Sequence, residues 1–249
     1  MHIQILGSGS KGNSALVRAG ETHLLIDAGL PKRELVRRLK EDARVQPLRI
    51  DHVALTHGHL GRARLVCSES IMRNASVRKA PHMFAFTVDR ALALEGPHDD
   101  VLHLRPVRIP HDADPTVAFR IEHRGRTAVV VTDMGRPDRQ AARGLAGAHV
   151  MVLEFNHDPE LLRLGPYTAS LKRRIAGDRG HLSNEQAAEM LRLLAGAELH
   201  TLVLAHLSEV NNTPELALAA ARRALGELGL TGVRILVADQ HAVGPNLKV

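Results

Sequence analysis

A chain of 249 residues that is 44% hydrophobic can bury a full core without disulfides or a partner, and residues 1–249 are expected to form one domain. The single cysteine, Cys67, excludes an intramolecular disulfide framework and a cysteine-rich zinc cluster. With no charged leader at Met1-His2-Ile3-Gln4 and no apolar stretch of spanning length, the expectation is a cytoplasmic protein without membrane association. The net charge of +6 points to an anionic partner, nucleic acid being the commonest. The 2% aromatic content argues against a base-stacking platform, so contacts would be to phosphate; composition identifies no protein partner.

In chain order, His2 to Leu6 reads as a strand, and Ala15 to Arg18 with His23 to Ile26 as a hairpin around Ala19-Gly20-Glu21. Between them Gly7, Gly9 and Gly12 fit G-x-G-x-x-G, but a dinucleotide fingerprint must open a helix, and Asn13 to Val17 runs into the hairpin instead. Lys11 lacks the following Ser or Thr of a phosphate-binding P-loop. Pro31 begins a basic helix through Lys40, and a strand follows from Asp51 to Leu55. From Arg62 to Arg90 the pattern fails: Val66 to Ser70 and Arg73 to Val77 show neither helical nor strand periodicity. Six basic residues there outweigh Glu69 and Asp89, giving +4 of the chain's +6, which a compensated frameshift would explain.

The second half resumes with strands at Val107 to Ile109, Ala118 to Glu122, Thr127 to Thr132, Val150 to Leu153, Thr201 to Ala205 and Val233 to Ala238. Helices are expected over Asn184 to Leu194 and Pro214 to Leu228. Strand-rich halves each carrying a few helices imply a layered α/β or α+β architecture.

Chemistry-bearing residues recur at the ends of these strands. Thr56-His57-Gly58-His59 ends one, His111 follows Ile109-Pro110, Asp133 follows Thr132, and His206 follows Ala205. A layered fold gathers neighbouring strand ends along one rim, where four imidazoles and a carboxylate suit zinc or manganese, with Asp133 able to bridge two ions. Taken singly, each could be a polar residue satisfying nearby backbone; five in the same setting favour metal. His181 precedes Ser183 and Gln186, spaced as a capping box, so it lies just before a helix N-terminus and near Lys172, Arg173, Arg174 and Arg179. It is the candidate proton donor to a leaving alkoxide, with Lys172, Arg173 and Arg174 holding phosphate; the competing account is a loop histidine beside a solvated basic face. Asp27 is expected to support metal ligands by hydrogen bonds.

The segments Leu6-Gly7-Ser8-Gly9-Ser10-Lys11-Gly12-Asn13-Ser14, Leu25-Ile26-Asp27-Ala28-Gly29, Thr56-His57-Gly58-His59, Thr132-Asp133-Met134-Gly135, Glu154-Phe155-Asn156-His157-Asp158, Gly180-His181-Leu182-Ser183-Asn184 and Leu204-Ala205-His206-Leu207-Ser208 carry a resemblance over nearly the whole chain. It is to the metallo-β-lactamase superfamily of hydrolases, and within it to the YycJ/WalJ-type branch. The resemblance implies an α+β fold, a four-layer αββα sandwich with a dinuclear metal site at one edge. It also implies hydrolysis of a phosphodiester, in DNA, by exonuclease action. His57, His59 and His111 would hold a first ion, Asp133 would bridge, His206 would serve the second, and Asn156 and Asn211 would belong to the substrate pocket. The family pattern His-x-His-x-Asp-His departs after His59, where Leu60, Gly61 and Arg62 stand. Gly61 and Arg62 replace two ligands of the second ion, and the Arg62 guanidinium brings permanent positive charge, so one ion or two are expected, zinc or manganese. The mechanism implied is metal-activated hydroxide attacking a phosphodiester, with His181 as general acid. The alternatives are a catalytically impaired relative that binds nucleic acid or protein, and a thioester or lactone hydrolase.

Overall fold

The computed structural model describes residues 1–41, 50–56, 64–68, 83–113 and 115–249. In chain order the elements are β1 (His2–Gly7), β2 (Ser14–Ala19), β3 (Thr22–Ile26), α1 (Lys32–Glu41), β4 (His52–Ala54), β5 (Arg64–Ser68), β6 (Met83–Phe86), β7 (Leu92–Glu95), β8 (Val101–Ile109), β9 (Thr116–His123), β10 (Arg126–Val131), α2 (Arg139–Leu145), β11 (Val150–Glu154), α3 (Pro159–Leu164), α4 (Ala169–Ala176), α5 (Asn184–Leu194), β12 (Thr201–Ala205), α6 (Pro214–Glu227), β13 (Arg234–Val237) and β14 (Leu247–Lys248). They build two seven-stranded sheets, ordered β14-β1-β2-β3-β4-β5-β6 and β13-β12-β11-β10-β9-β8-β7. Each sheet joins antiparallel strands to a parallel run, β3-β4-β5-β6 in the first and β10-β11-β12-β13 in the second.

Alternation along the strands explains the layering. In β11, Val150 and Val152 face the other sheet, while Met151 and Leu153 face the helices. In β3, Leu24 and Ile26 join the same inter-sheet core, and Leu25 packs with Leu6, Leu16 and Leu39 under α1. The period of two thus sends successive side chains into different cores, and each fully buried Leu or Ile contributes roughly 2 kcal/mol. Ala187, Leu191, Ala220 and Leu225 of α5 and α6 close the outer face of the second sheet. The result is an α+β sandwich layered αββα. Among the described residues no helix is long and apolar enough to cross a membrane.

The expected helices start where local chemistry places them. Ser183 and Gln186 form the capping box of α5, and Thr213 caps α6 with Pro214 in its first turn. Arg38 of α1 is buried, and its Nη1 donates to the carbonyls of Leu6 (2.6 Å) and Gln240 (3.0 Å), tying the helix to the sheet edge.

The expectation of no periodic structure around Val66 to Ser68 is corrected. Arg64–Ser68 is strand β5, paired in parallel with β4 and β6, and Val66 and Cys67 are completely buried. A strand covered on both faces has no alternating pattern to read. Burial pushes the Cys67 thiol up to about 11, in keeping with an inert core residue. Glu69 and Arg73 to Val77 lie outside the described residues. Strand β8 begins at Val101, ahead of the expected Val107, and the short α2, α3 and α4 were not expected at all.

Gly12 has φ +134°, and a Cβ there would stand 2.2 Å from the Gly29 carbonyl oxygen. Gly12→Ala is therefore expected to destabilise the protein by about 2 kcal/mol or more. Urea unfolding checks this, and an unchanged midpoint would contradict the close approach.

Candidate metal centre

Strand ends converge on one rim. Asp27 follows β3, Asp133 lies two residues after β10, Glu154 ends β11, and His206 follows β12. Asp27, Asp133 and His206 are three of six non-glycine residues with positive φ among the described residues, at 56°, 60° and 56°. Left-handed backbone costs such residues about 1–2 kcal/mol each, so the surrounding contacts must hold these turns. Asp27 Oδ1 accepts from the Thr56 amide (2.8 Å), and its Oδ2 accepts from the Thr56 hydroxyl (2.7 Å). The His206 amide donates to Ser8 Oγ (2.8 Å), and its carbonyl accepts from Asn156 Nδ2 (2.9 Å). Ser8 Oγ donates to Asn13 Oδ1 (3.0 Å), whose Nδ2 donates to Asp133 Oδ2 (3.3 Å). The glycine-rich loop after β1 thus braces the rim.

At the centre is Glu154, with no solvent exposure. Its Oε1 accepts from His206 Nδ1 (2.7 Å) and His181 Nδ1 (2.9 Å), and its Oε2 accepts from the Met134 amide (2.8 Å). Burial raises the carboxyl's pKa, but His181 and His206 outweigh that and hold it well below the ordinary carboxylate range. Since a carboxylate only accepts, both imidazoles carry a proton on Nδ1 toward it, and Nε2 is the ring nitrogen of each not engaged by Glu154. Burial also disfavours the His206 imidazolium, yet Asp133 and the bond to Glu154 raise it to about 9.

Asp133, His181 and His206 offer ligand atoms that all lie within 4.8 Å of one another. The rings of His111, His181 and His206 form a row, with centroids 5.2 Å and 5.0 Å apart. His111 Nδ1 donates to the Gly180 carbonyl (2.9 Å), and its Nε2 lies 3.2 Å from Asp112 Oδ1. A cavity of about 310 Å3 opens beside Asp133 and His206, walled by Lys11, Asn13 and Asp27.

Two further observations place this architecture among known proteins. Residues 7–66 match the Metallo-beta-lactamase superfamily, and residues 62–207 match a Beta-lactamase superfamily domain. Exodeoxyribonuclease YycJ of Bacillus anthracis is 30% identical over 240 residues, covering 92% of this chain and 90% of that protein. The chain belongs to the metallo-β-lactamase superfamily. Exodeoxyribonuclease WalJ of Streptococcus pneumoniae serotype 2 (strain D39) is 30% identical over 233 residues, covering 86% and 84% of the two chains. In fold, the chain is similar to Zn(2+)-bound PqqB from Methylobacterium extorquens, with a TM-score of 0.70 at 17% identity over the full length of both. A metallo-β-lactamase fold implies a divalent-metal site, and the Asp133 carboxylate beside the oriented His206 imidazole supplies donors that fit it.

Of the residues singled out in the sequence, the structure brings together Asp133, His206 and His181, with His111 next in the row. His57, His59, Leu60, Gly61 and Arg62 lie outside the described residues. The basic residues sit on α4. Arg174 reaches Asp112 (2.6 Å), Lys172 Nζ donates to the Arg163 carbonyl (2.7 Å), and Arg173 is exposed. Asn156 and Asn211 are buried, and Asn211 takes part in the turn around Ser208 through its amide (3.1 Å). His157 is buried too, and burial pushes it down to about 4. Sequence reasoning gave no role to Glu154 or Asp112. An acidic residue closing the apolar run Val150 to Leu153 was the available signal, since a buried carboxylate requires compensating partners.

His206 sets a pH dependence for the metal-free protein. The folded state keeps its proton up to about pH 9, whereas an unfolded histidine releases it near 6.5. The stabilisation is complete below about pH 6.5 and is lost as pH rises through about 9. The melting temperature of metal-free protein should fall by about 5 °C across that window, and bound metal should flatten the profile. A flat profile without metal would contradict the His206–Glu154 pairing.

Proposed function

We propose that this protein is a metal-dependent phosphodiesterase that acts on DNA as an exonuclease, as one domain in the cytoplasm. The observation that carries this reading is the Asp133–His181–His206 group over Glu154, in a chain aligned over 92% of its length with a protein named as an exodeoxyribonuclease.

On this reading His57, His59, His111, Asp133 and His206 hold the metal. The ion is zinc or manganese, with zinc favoured by the imidazole-rich donor set. When bound, it supplies Lewis acidity toward the phosphoryl oxygens and an acidified water. Gly61 and Arg62 leave the second ion short of donors, so one tightly held ion per chain is proposed.

His181 is the proton donor to the departing oxygen. Its side chain is 23% exposed, against 6% for His206 and 9% for Asp133, so it is the member of the group open to a substrate. Glu154 is its positioning residue, holding the ring through Nδ1 and offsetting the charge of the protonated imidazole. Lys172, Arg173 and Arg174 contribute phosphate contacts from α4, two turns of helix whose chain leads through Gly180 into His181. Asn156 acts on the site through the His206 carbonyl, and Asn211 through the Ser208 turn, as supports. The polar walls of the cavity beside His206, with Lys11, Asn13 and Asp27, are unsuited to the acyl chain of a thioester or a lactone.

The replaced ligand positions Gly61 and Arg62 favour a second reading, a nucleic-acid or protein binding module with impaired chemistry. Metal-loaded protein and end-labelled DNA separate the two. The exonuclease reading predicts mononucleotide release from linear DNA, none from closed circles, and a loss of about 100-fold or more in kcat for His181→Ala with the metal retained. Binding of DNA without any hydrolysis by metal-loaded wild-type protein would favour the binding module.

A further inference from the structure

Two cavities border the imidazoles. The smaller adjoins His206; the larger, about 440 Å3, has His111 in its wall and reaches to α2. We propose that this larger cavity seats the terminal nucleoside of the strand being cut. The proposal rests on the exonuclease reading and names the substrate group that the site holds beside the scissile phosphate.

Three properties of the wall select a nucleoside over a bare anion. First, Arg108, Arg136 and Arg179 are matched by Asp89, Asp138 and Asp178, so the cavity carries no net positive charge and is unsuited to a run of phosphates. Second, it mixes fixed donors and acceptors, as a base edge and a sugar hydroxyl require. Arg179 Nε donates to the His111 carbonyl (2.9 Å), which anchors the side chain beside the catalytic row. Asp138 Oδ1 accepts from the amides of Gln140 and Ala141, which fixes the carboxylate at the cavity edge. Third, Val107, Ile109 and Pro110 supply apolar surface that can meet the face of a base. The volume falls within the range of about 300–1,000 Å3 usual for small-ligand sites.

Position completes the argument. An exonuclease needs one place for the nucleoside it removes and another for the strand that remains, on either side of the group that protonates the leaving oxygen. The His181 ring is 5.2 Å from that of His111, which lines the larger cavity, and 5.0 Å from that of His206, which lines the smaller.

Arg136 and Gln140 are exposed residues of this wall and are not among the candidate metal ligands. The experiment is calorimetric titration of metal-loaded full-length protein with deoxynucleoside 5′-monophosphates and, separately, with inorganic phosphate. For Arg136→Ala/Gln140→Ala the nucleotide affinity should fall about tenfold, or about 1.4 kcal/mol, while the phosphate affinity changes less than about twofold. Equal weakening of both ligands, an unchanged nucleotide affinity, or wild-type protein that holds nucleotide no better than phosphate would overturn the proposal. Because binding is read without turnover, failure of the exonuclease reading appears separately, as intact end-labelled DNA.

Discussion

One buried carboxylate organises the functional rim. Glu154 sits at the end of a completely buried strand, where an unpaired charge would be prohibitively costly, and its cost is met by two imidazoles and the backbone amides of Met134 and Leu182. Those partners come from three other parts of the chain, the loops after β10 and β12 and the turn before α5. Satisfying one anion therefore brings Met134, His181 and His206 into register. The same bonds fix the tautomer of both histidines, so a stability requirement of the core becomes an orientation of donor atoms at the surface.

The strained turns point the same way. Asp27, Asp133 and His206 adopt left-handed backbone within two residues of their strand ends, and each is tied to a neighbouring element by hydrogen bonds. Strand β12 delivers His206 to the rim, and Ser8, Asn13 and Asn156 keep it there. The glycine loop that resembles a dinucleotide fingerprint contributes by close packing, since Gly12 lies against Gly29 with no room for a side chain.

Much of this was legible in the sequence, for identifiable reasons. Apolar runs such as Thr201 to Ala205 marked buried strands, and polar residues ending them marked the rim, which picked out His111, Asp133 and His206 before any geometry. The capping box placed α5 and set His181 at its entrance. Other features were hidden because their meaning is not local. Glu154 looks like the end of a strand until His181 and His206, 27 and 52 residues away, are seen against it. Strand β5 lacks alternation because both its faces are covered. The helices α2, α3 and α4 are too short to display a period, although Asp138, Asp158 and Thr168 cap them. Asn156 and Asn211, read from the motifs as pocket residues, are buried, and Asn156 holds the His206 carbonyl.

If Glu154 organises the centre, its charge governs how well the centre binds metal. Glu154→Gln preserves size and removes the anion that orients His181 and His206. Competition titration of zinc against a chelator, on this variant and on wild-type protein, reads the effect directly. The account predicts binding weaker by about 10–100-fold in the variant. Equal affinities for the two proteins would contradict it.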